Sequence, residues 1–118
     1  MKEKATKHDE EKLRMDLIPP EIAESLARVL GDGARKYSAF NYRKGIKWSR
    51  YYSALLRHVF AWWRGEDKDP ESGFHHLEHV LTNASILCDM VVYGNSRMYD
   101  DRPTRVKKRK KQADRKKQ

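Results

Sequence analysis

Residues 49–93 read SRYYSALLRHVFAWWRGEDKDPESGFHHLEHVLTNASILCDMVVY, two apolar helical patterns joined by an acidic link. In the first, Trp48, Tyr52, Leu55, Leu56, Val59, Trp62 and Trp63 follow the helical period and predict a helix from a cap at Ser49 to Gly65. The link GEDKDPE is turn-like, Pro70 opens the next element, and Ser72 is a candidate cap. A second helix is expected over residues 72–93. There Phe74, Leu77, Leu81, Ala84, Cys88 and Val91 alternate by three and four, a seam suited to packing on another helix.

Toward the N-terminus, KLRMDLIPPE places two prolines before a third helical pattern, where Pro20 fits the first turn and Glu21 and Glu24 favour the helix start. Ile22, Leu26, Val29 and Leu30 supply its apolar face. Gly31 and Gly33 either end this helix or let another backbone approach closely, and the sequence leaves both open. Residues 38–48, SAFNYRKGIKW, read as a loop long enough to be functional. Residues 1–11 are charged, lack large aliphatic side chains and are expected to form a mobile arm.

The net charge of +9 is concentrated at one end. Residues 104–118 hold nine Lys or Arg against Asp114, while the other 103 residues carry 17 basic and 16 acidic groups. The body is therefore nearly neutral, and residues 99–118 are expected to be a basic tail, disordered when free. A single cysteine, Cys88, excludes an internal disulfide and a thiolate zinc cage. No apolar run of signal length is found in MKEKATKHDEEKLR, and Ala84–Tyr93 is interrupted by Asp89 and about half a membrane span. A cytoplasmic protein with no membrane partner is expected. The fold expected for residues 12–98 is an all-α bundle of three or four helices. Its apolar surface exceeds what three helices hide, so a homo-oligomer is expected to complete it.

Projection at about 100° per residue puts His58 and Glu66 on the inward side of their helix, about 12 Å apart along its axis. On the following helix His76, His79 and Asn83 form a polar stripe beside the seam, bounded by Val80 and Leu87 and so partly buried. Buried imidazoles and carboxylates are costly unless paired or bound to a cation. The spacing lets His76 and His79 point at one ion, with Glu66, Asp69 and Glu71 arriving from the link. Such a set suits Mn, Co, Zn or Mg. Histidines merely hydrogen-bonded at a helix interface are the alternative, but GEDKDPESGFHHLEH gathers five carboxylates and three histidines in 15 residues. Lys36, Arg43 and Lys44 either hold a polyphosphate or form an ordinary solvated loop. Trp48 and Tyr42 are candidates for stacking on a base, although core is the ordinary role of tryptophan. There is no Gly-rich phosphate loop, Ser-His-Asp set or cysteine nucleophile.

Four stretches, KLRMDLIPPE (12–21), GARKYSAFNYRKG (33–45), YYSALLRHVFAWWRGEDKDPESG (51–73) and HHLEHVLTNASIL (75–87), resemble the small phage family of dATP/dGTP diphosphohydrolases. The resemblance implies divalent-ion-dependent hydrolysis of a purine dNTP to the monophosphate and pyrophosphate, with Mg, Mn or Co as cofactor. That family is similar in size and helical character to the MazG-like all-α pyrophosphohydrolases. Their ExxE and ExxD motifs are missing here, replaced by RHVFAWWRGE and HHLEHVLTN, so their ligands do not transfer. On this reading Glu66, Asp69, His76 and His79 hold metal, and Glu71 or His58 is the general base. Lys36, Tyr37, Asn41, Arg43, Lys44 and Asn83 contact substrate. The competing class is a nucleic-acid-binding module acting through the basic tail, whose charge binds phosphate backbones in a salt-dependent way. A third is an inactive phage interaction protein that keeps the helical scaffold.

Overall fold

The computed structural model describes residues 3–94 and 97–117. Among the described residues it contains four α-helices and no strand. They are α1 (Pro20–Lys36), α2 (Trp48–Trp63), α3 (His76–Cys88) and α4 (Pro103–Lys117). The chain is all-α, as its periodicities predict, and the body is α3 packed against α2 and α1.

α1 starts as expected, with Pro20 in the first turn, where its missing N–H costs nothing, and Arg35 and Lys36 meeting the negative end of the helix dipole. It runs straight through Gly31 and Gly33. A Cβ at Gly33 would meet nothing within 4 Å, and one at Gly31 would meet only the Arg35 side chain at 4.0 Å. The glycines thus neither end the helix nor admit another backbone. Both instead border an open cleft. Between α1 and α2 the expected loop contains a single 3₁₀ turn, Asn41–Lys44.

α2 begins at Trp48, and Ser49 does not cap it. The N-terminal donors are met from far along the chain. The Ser49 N–H donates to Asp101 Oδ1 at 3.0 Å and the Ser49 hydroxyl donates to Asp101 Oδ2. The Trp48 N–H donates to the Tyr99 carbonyl at 3.1 Å, and the Arg102 guanidinium lies 5.2 Å over the buried Trp48 ring. Fully buried Asp100 accepts from Arg102 Nε and Nη2, both at 2.9 Å. Residues 99–102 are therefore part of the body.

Beyond them, Pro103–Lys117 is helical, where the sequence leads one to expect a tail disordered when free. Lack of apolar residues argues against packing but not against a helix, since Lys, Arg, Gln and Ala all have high helix propensity and Pro103 opens the first turn. The radius of gyration is 20.2 Å, against about 13.5 Å for a compact chain of this length. The N-terminal segment and α4 extend from the body.

α3 begins four residues later than Ser72, with His75 as its cap. His75 Nδ1 accepts from the Leu77 N–H at 3.0 Å and Glu78 Oε1 accepts from the His75 N–H at 3.3 Å, a reciprocal capping box. The helix continues as a π-turn, Asp89–Tyr93, and stops at Gly94 as expected. Its orientation differs from the heptad reading. His76, Thr82, Asn83 and Ile86 are the buried residues, while Leu77 is 41% exposed and Ala84 and Cys88 face outward. On α2, Tyr52, Phe60 and Trp63 are also outward, Trp63 at 80% exposure. In the polar stripe His76 and His79 bond to α2 and the link while Asn83 bonds within α3, and Leu77, Ala84 and Cys88 of the apolar seam are left on the surface of the single chain.

Candidate functional site

The α2–α3 link folds back on itself. Gly65 (φ 104°) and Gly73 (φ 78°) take the left-handed conformation that other residues adopt at a cost. The Asp69 N–H donates to the Phe74 carbonyl at 2.8 Å, the Gly73 N–H to Asp69 at 2.7 Å, and the His76 N–H to Asp67 at 2.8 Å. This closed turn fixes Asp69 and Ser72 beside the first turn of α3. The Ser72 hydroxyl lies 3.0 Å from Asp69 Oδ2 and 2.6 Å from His79 Nε2, and accepts from the Phe74 N–H at 3.2 Å.

From α2, His58 stacks on His79 with ring centroids 4.3 Å apart and planes 7° from parallel. His58, Asp69 and His79 each offer a ligand atom within 4.8 Å of the other two. Burial, reinforced by the neighbouring His79, pushes His58 down to about 4. Burial likewise lowers His79, although Asp69 opposes it. For Asp69 burial works against ionisation, but hydrogen bonds from Ser72 and the Glu71 N–H, with the histidines nearby, hold it below the ordinary carboxyl range. The site at neutral pH is thus one carboxylate and two uncharged imidazoles, the protonation states that ligate cations.

His58 and His79 border a cavity of about 530 Å³. Asn83 and Ile86 of α3 line it further along, Asp32 and Lys36 of α1 face it, and Tyr37, Asn41 and Tyr42 border it from the following loop. Asp32 lies close enough to His79 to oppose the lowering of its pKa. It also pairs with Lys36 at 3.4 Å and Arg35 at 3.5 Å. Sequence reasoning missed Asp32 because α1 was left undecided at the adjacent glycines. Continuing the helix through them puts residue 32 one turn beyond the buried Val29, and that was the available signal. Ser72, read as a helix cap, was missed as a member of the cluster.

The other sequence candidates fall in four places. His76 is 3% exposed and lies behind the three-residue cluster, 2.8 Å from His58 and 2.7 Å from Glu66, whose own side chain is 51% exposed. Glu71 is exposed on the turn and outside the cavity lining, with its N–H on Asp69 Oδ1 at 3.2 Å. Arg43 holds Asp89 through two contacts of 2.9 and 2.8 Å and lines a second cavity of about 430 Å³, while Lys44 donates to the Ser38 hydroxyl at 3.1 Å. Asn83 Nδ2 donates to the His79 carbonyl at 2.9 Å, and Tyr42 borders both cavities. Lys36, Tyr37, Asn41 and Asn83 are therefore brought to the His58–His79 cleft, and Arg43 and Lys44 are not.

Residues 2–102 match the family described as dATP/dGTP diphosphohydrolase, N-terminal. A relative named dATP/dGTP diphosphohydrolase, from Salmonella phage PMBT28, is 36% identical over 81 residues. The match covers 69% of this chain and 28% of the relative, so the chain spans little more than a quarter of that protein's length. No solved structure matches. Among the described residues no helix is long and apolar enough to cross a membrane.

Proposed function

The chain belongs to the dATP/dGTP diphosphohydrolase N-terminal family, and on that premise we propose that it carries out divalent-ion-dependent hydrolysis of a purine deoxynucleoside triphosphate, dGTP or dATP, to the monophosphate and pyrophosphate. The observation that carries the reading is the convergence of His58, Asp69 and His79, whose ligand atoms lie within 4.8 Å of one another, with the two histidines lining a cavity of about 530 Å³, within the size range of small-molecule sites. Two imidazoles and a carboxylate fit Mn, Co, Zn or Mg. A bound ion supplies positive charge against the triphosphate and makes water a better nucleophile at neutral pH.

The chain's own side chains do the rest. His58, Asp69 and His79 hold the ion, a set that takes in His58 and leaves His76 and Glu66 behind it. Lys36 turns from Asp32 toward a phosphate oxygen. Asp32, the carboxylate facing the cleft from α1, takes the proton of the attacking water, a role that falls to it over Glu71 because Glu71 is outside the cavity lining. Tyr37, Asn41, Tyr42 and Asn83 border the space left for sugar and base. The test is pyrophosphate release from each of the four dNTPs with Mg, Mn or Co and with chelator. Turnover of dGTP or dATP that stops on chelation is expected, and failure to turn over or bind any dNTP refutes the reading.

The same proposal extends to partners. The enzyme acts in phage nucleotide metabolism, in the host cytoplasm. A second copy covers the outward side of the seam, Leu77, Ala84 and Cys88 with half-buried Leu81 and Val91 beside them, whose three-four spacing suits helix pairing. α4 contacts nucleic-acid phosphates non-specifically, because nine of its 15 residues are Lys or Arg and its stem at residues 99–102 is fixed to the start of α2.

A further inference from the structure

One chain of side chains leads from the cleft through the interior to the surface. Glu66 Oε1 lies 2.7 Å from His76 Nε2, and His76 Nδ1 lies 2.8 Å from His58 Nδ1. The positions are well fixed at both ends. Gly65 turns the backbone so that the Glu66 N–H donates to the Ala61 carbonyl at 3.1 Å, and the His76 N–H is held by Asp67.

Proton bookkeeping along this chain has one solution when both rings are uncharged. A carboxylate only accepts, so the proton in the first contact sits on His76 Nε2. A neutral imidazole carries one N–H, so His76 Nδ1 is a bare lone pair and accepts from His58 Nδ1. His58 has then used its own proton, and its Nε2 is the nitrogen left to donate a lone pair.

We propose that Glu66 and His76 are positioning residues that set the tautomer of His58 and present its unprotonated Nε2 to a divalent cation. The inference rests on reading His58, Asp69 and His79 as an ion site, and extends that reading to two residues that do not touch the ion. Without Glu66, His76 is free to carry its proton on Nδ1 and pass the wrong tautomer to His58. Outer partners of metal-bound histidines typically change ion affinity by about 10- to 100-fold. That is the effect expected here.

The experiment uses the full chain, stripped of metal and labelled with nitrogen-15, with imidazole tautomers read by long-range proton–nitrogen correlation near neutral pH. Manganese affinity is then measured by titration. Wild type is expected to show His58 protonated at Nδ1 and His76 protonated at Nε2. Glu66→Ala removes a half-exposed side chain and leaves the fold standing. It is expected to give His58 mixed tautomers and to weaken manganese binding by about 10- to 100-fold. Glu66→Gln keeps an acceptor oxygen and is expected to restore the single tautomer. A purely packing role for Glu66 would alter stability and leave both readouts alone. A proton on Nε2 of wild-type His58, or Glu66→Ala with tautomers and affinity unchanged, overturns the proposal. Wild type that shows the expected tautomers yet binds no manganese sinks the ion-site reading and leaves the tautomer assignment intact.

Discussion

Acidification of the chelated protein should unfold it through His58. Folding lowers this imidazole from its ordinary 6.5 to about 4, chiefly by burial. The unfolded chain therefore takes up the proton first. The stabilisation is whole above about pH 6.5, is lost as pH falls toward about 4, and changes no further once both states are protonated. The full shift corresponds to about 3.4 kcal/mol at about 1.36 kcal/mol per pH unit. His58 borders the open cleft, and solvent screening there leaves somewhat under half, about 1.5 kcal/mol. His79 is lowered in the same direction and adds to the loss. Asp69, held below the ordinary carboxyl range, loses its contribution only at lower pH and does not mask this window. The assay is urea unfolding at several pH values between about 7.5 and 4.5, comparing wild type with His58→Asn. Wild type should lose about 1.5 kcal/mol or more over that interval and the variant markedly less. Parallel pH profiles for the two proteins would refute the assignment of a half-buried, neutral His58.

Manganese at about one hundred times its dissociation constant should stabilise the fold by about 2.7 kcal/mol, a rise in Tm of about 10 °C by scanning calorimetry. His79→Ala and Asp69→Asn should abolish that rise, and its persistence in either variant would move the ion elsewhere. Removing residues 103–117 should leave dNTP turnover unchanged and eliminate DNA binding. The binding it eliminates should weaken with log salt by about 0.9 per phosphate contacted, and a salt-independent signal would count against α4 as the contact. Leu77→Lys, on the outward seam of α3, should convert a dimer into a monomer by light scattering, whereas an unchanged mass would place the interface on another face. Asp101→Ala deprives the start of α2 of its carboxylate partner and should cost about 1 kcal/mol in urea unfolding. A loss near zero would mean that water serves Ser49 equally well.

The elements of the body, α1 to α3, were legible because each carries its own period, whereas α4 has no apolar period to read. Pro20, Gly65 and Gly94 mark boundaries that the structure keeps or nearly keeps. The rotation of α3 was not legible, since Leu77, Ala84 and Cys88 satisfy a heptad better than His76, Asn83 and Ile86 satisfy any apolar rule. What decides the rotation is bonding between elements, His76 to His58 and Glu66, and no local pattern encodes it. The same holds at Ser49, whose partner Asp101 lies 52 positions along the chain. Local chemistry predicted caps at Ser49 and Ser72. At both places the hydroxyl is engaged by a longer-range partner, and the helices start elsewhere.

The polar interior bears on the proposed ion site. A bundle this small has few buried apolar side chains, Val29, Trp48 and Ile86, yet it also buries His76, Thr82 and Asn83 at its central helix. Leucine at positions 58, 76 and 79 would stabilise such a bundle more, since uncharged imidazoles held from water cost free energy unless every nitrogen is satisfied. His76 meets that condition on both nitrogens. His58 meets it on Nδ1 through His76, and its ring stacks on His79 at the cleft. Asp69 and His79 each bring a ligand atom within 4.8 Å of one on His58, and it is on this gathering of a carboxylate and two imidazoles that the proposed ion site rests.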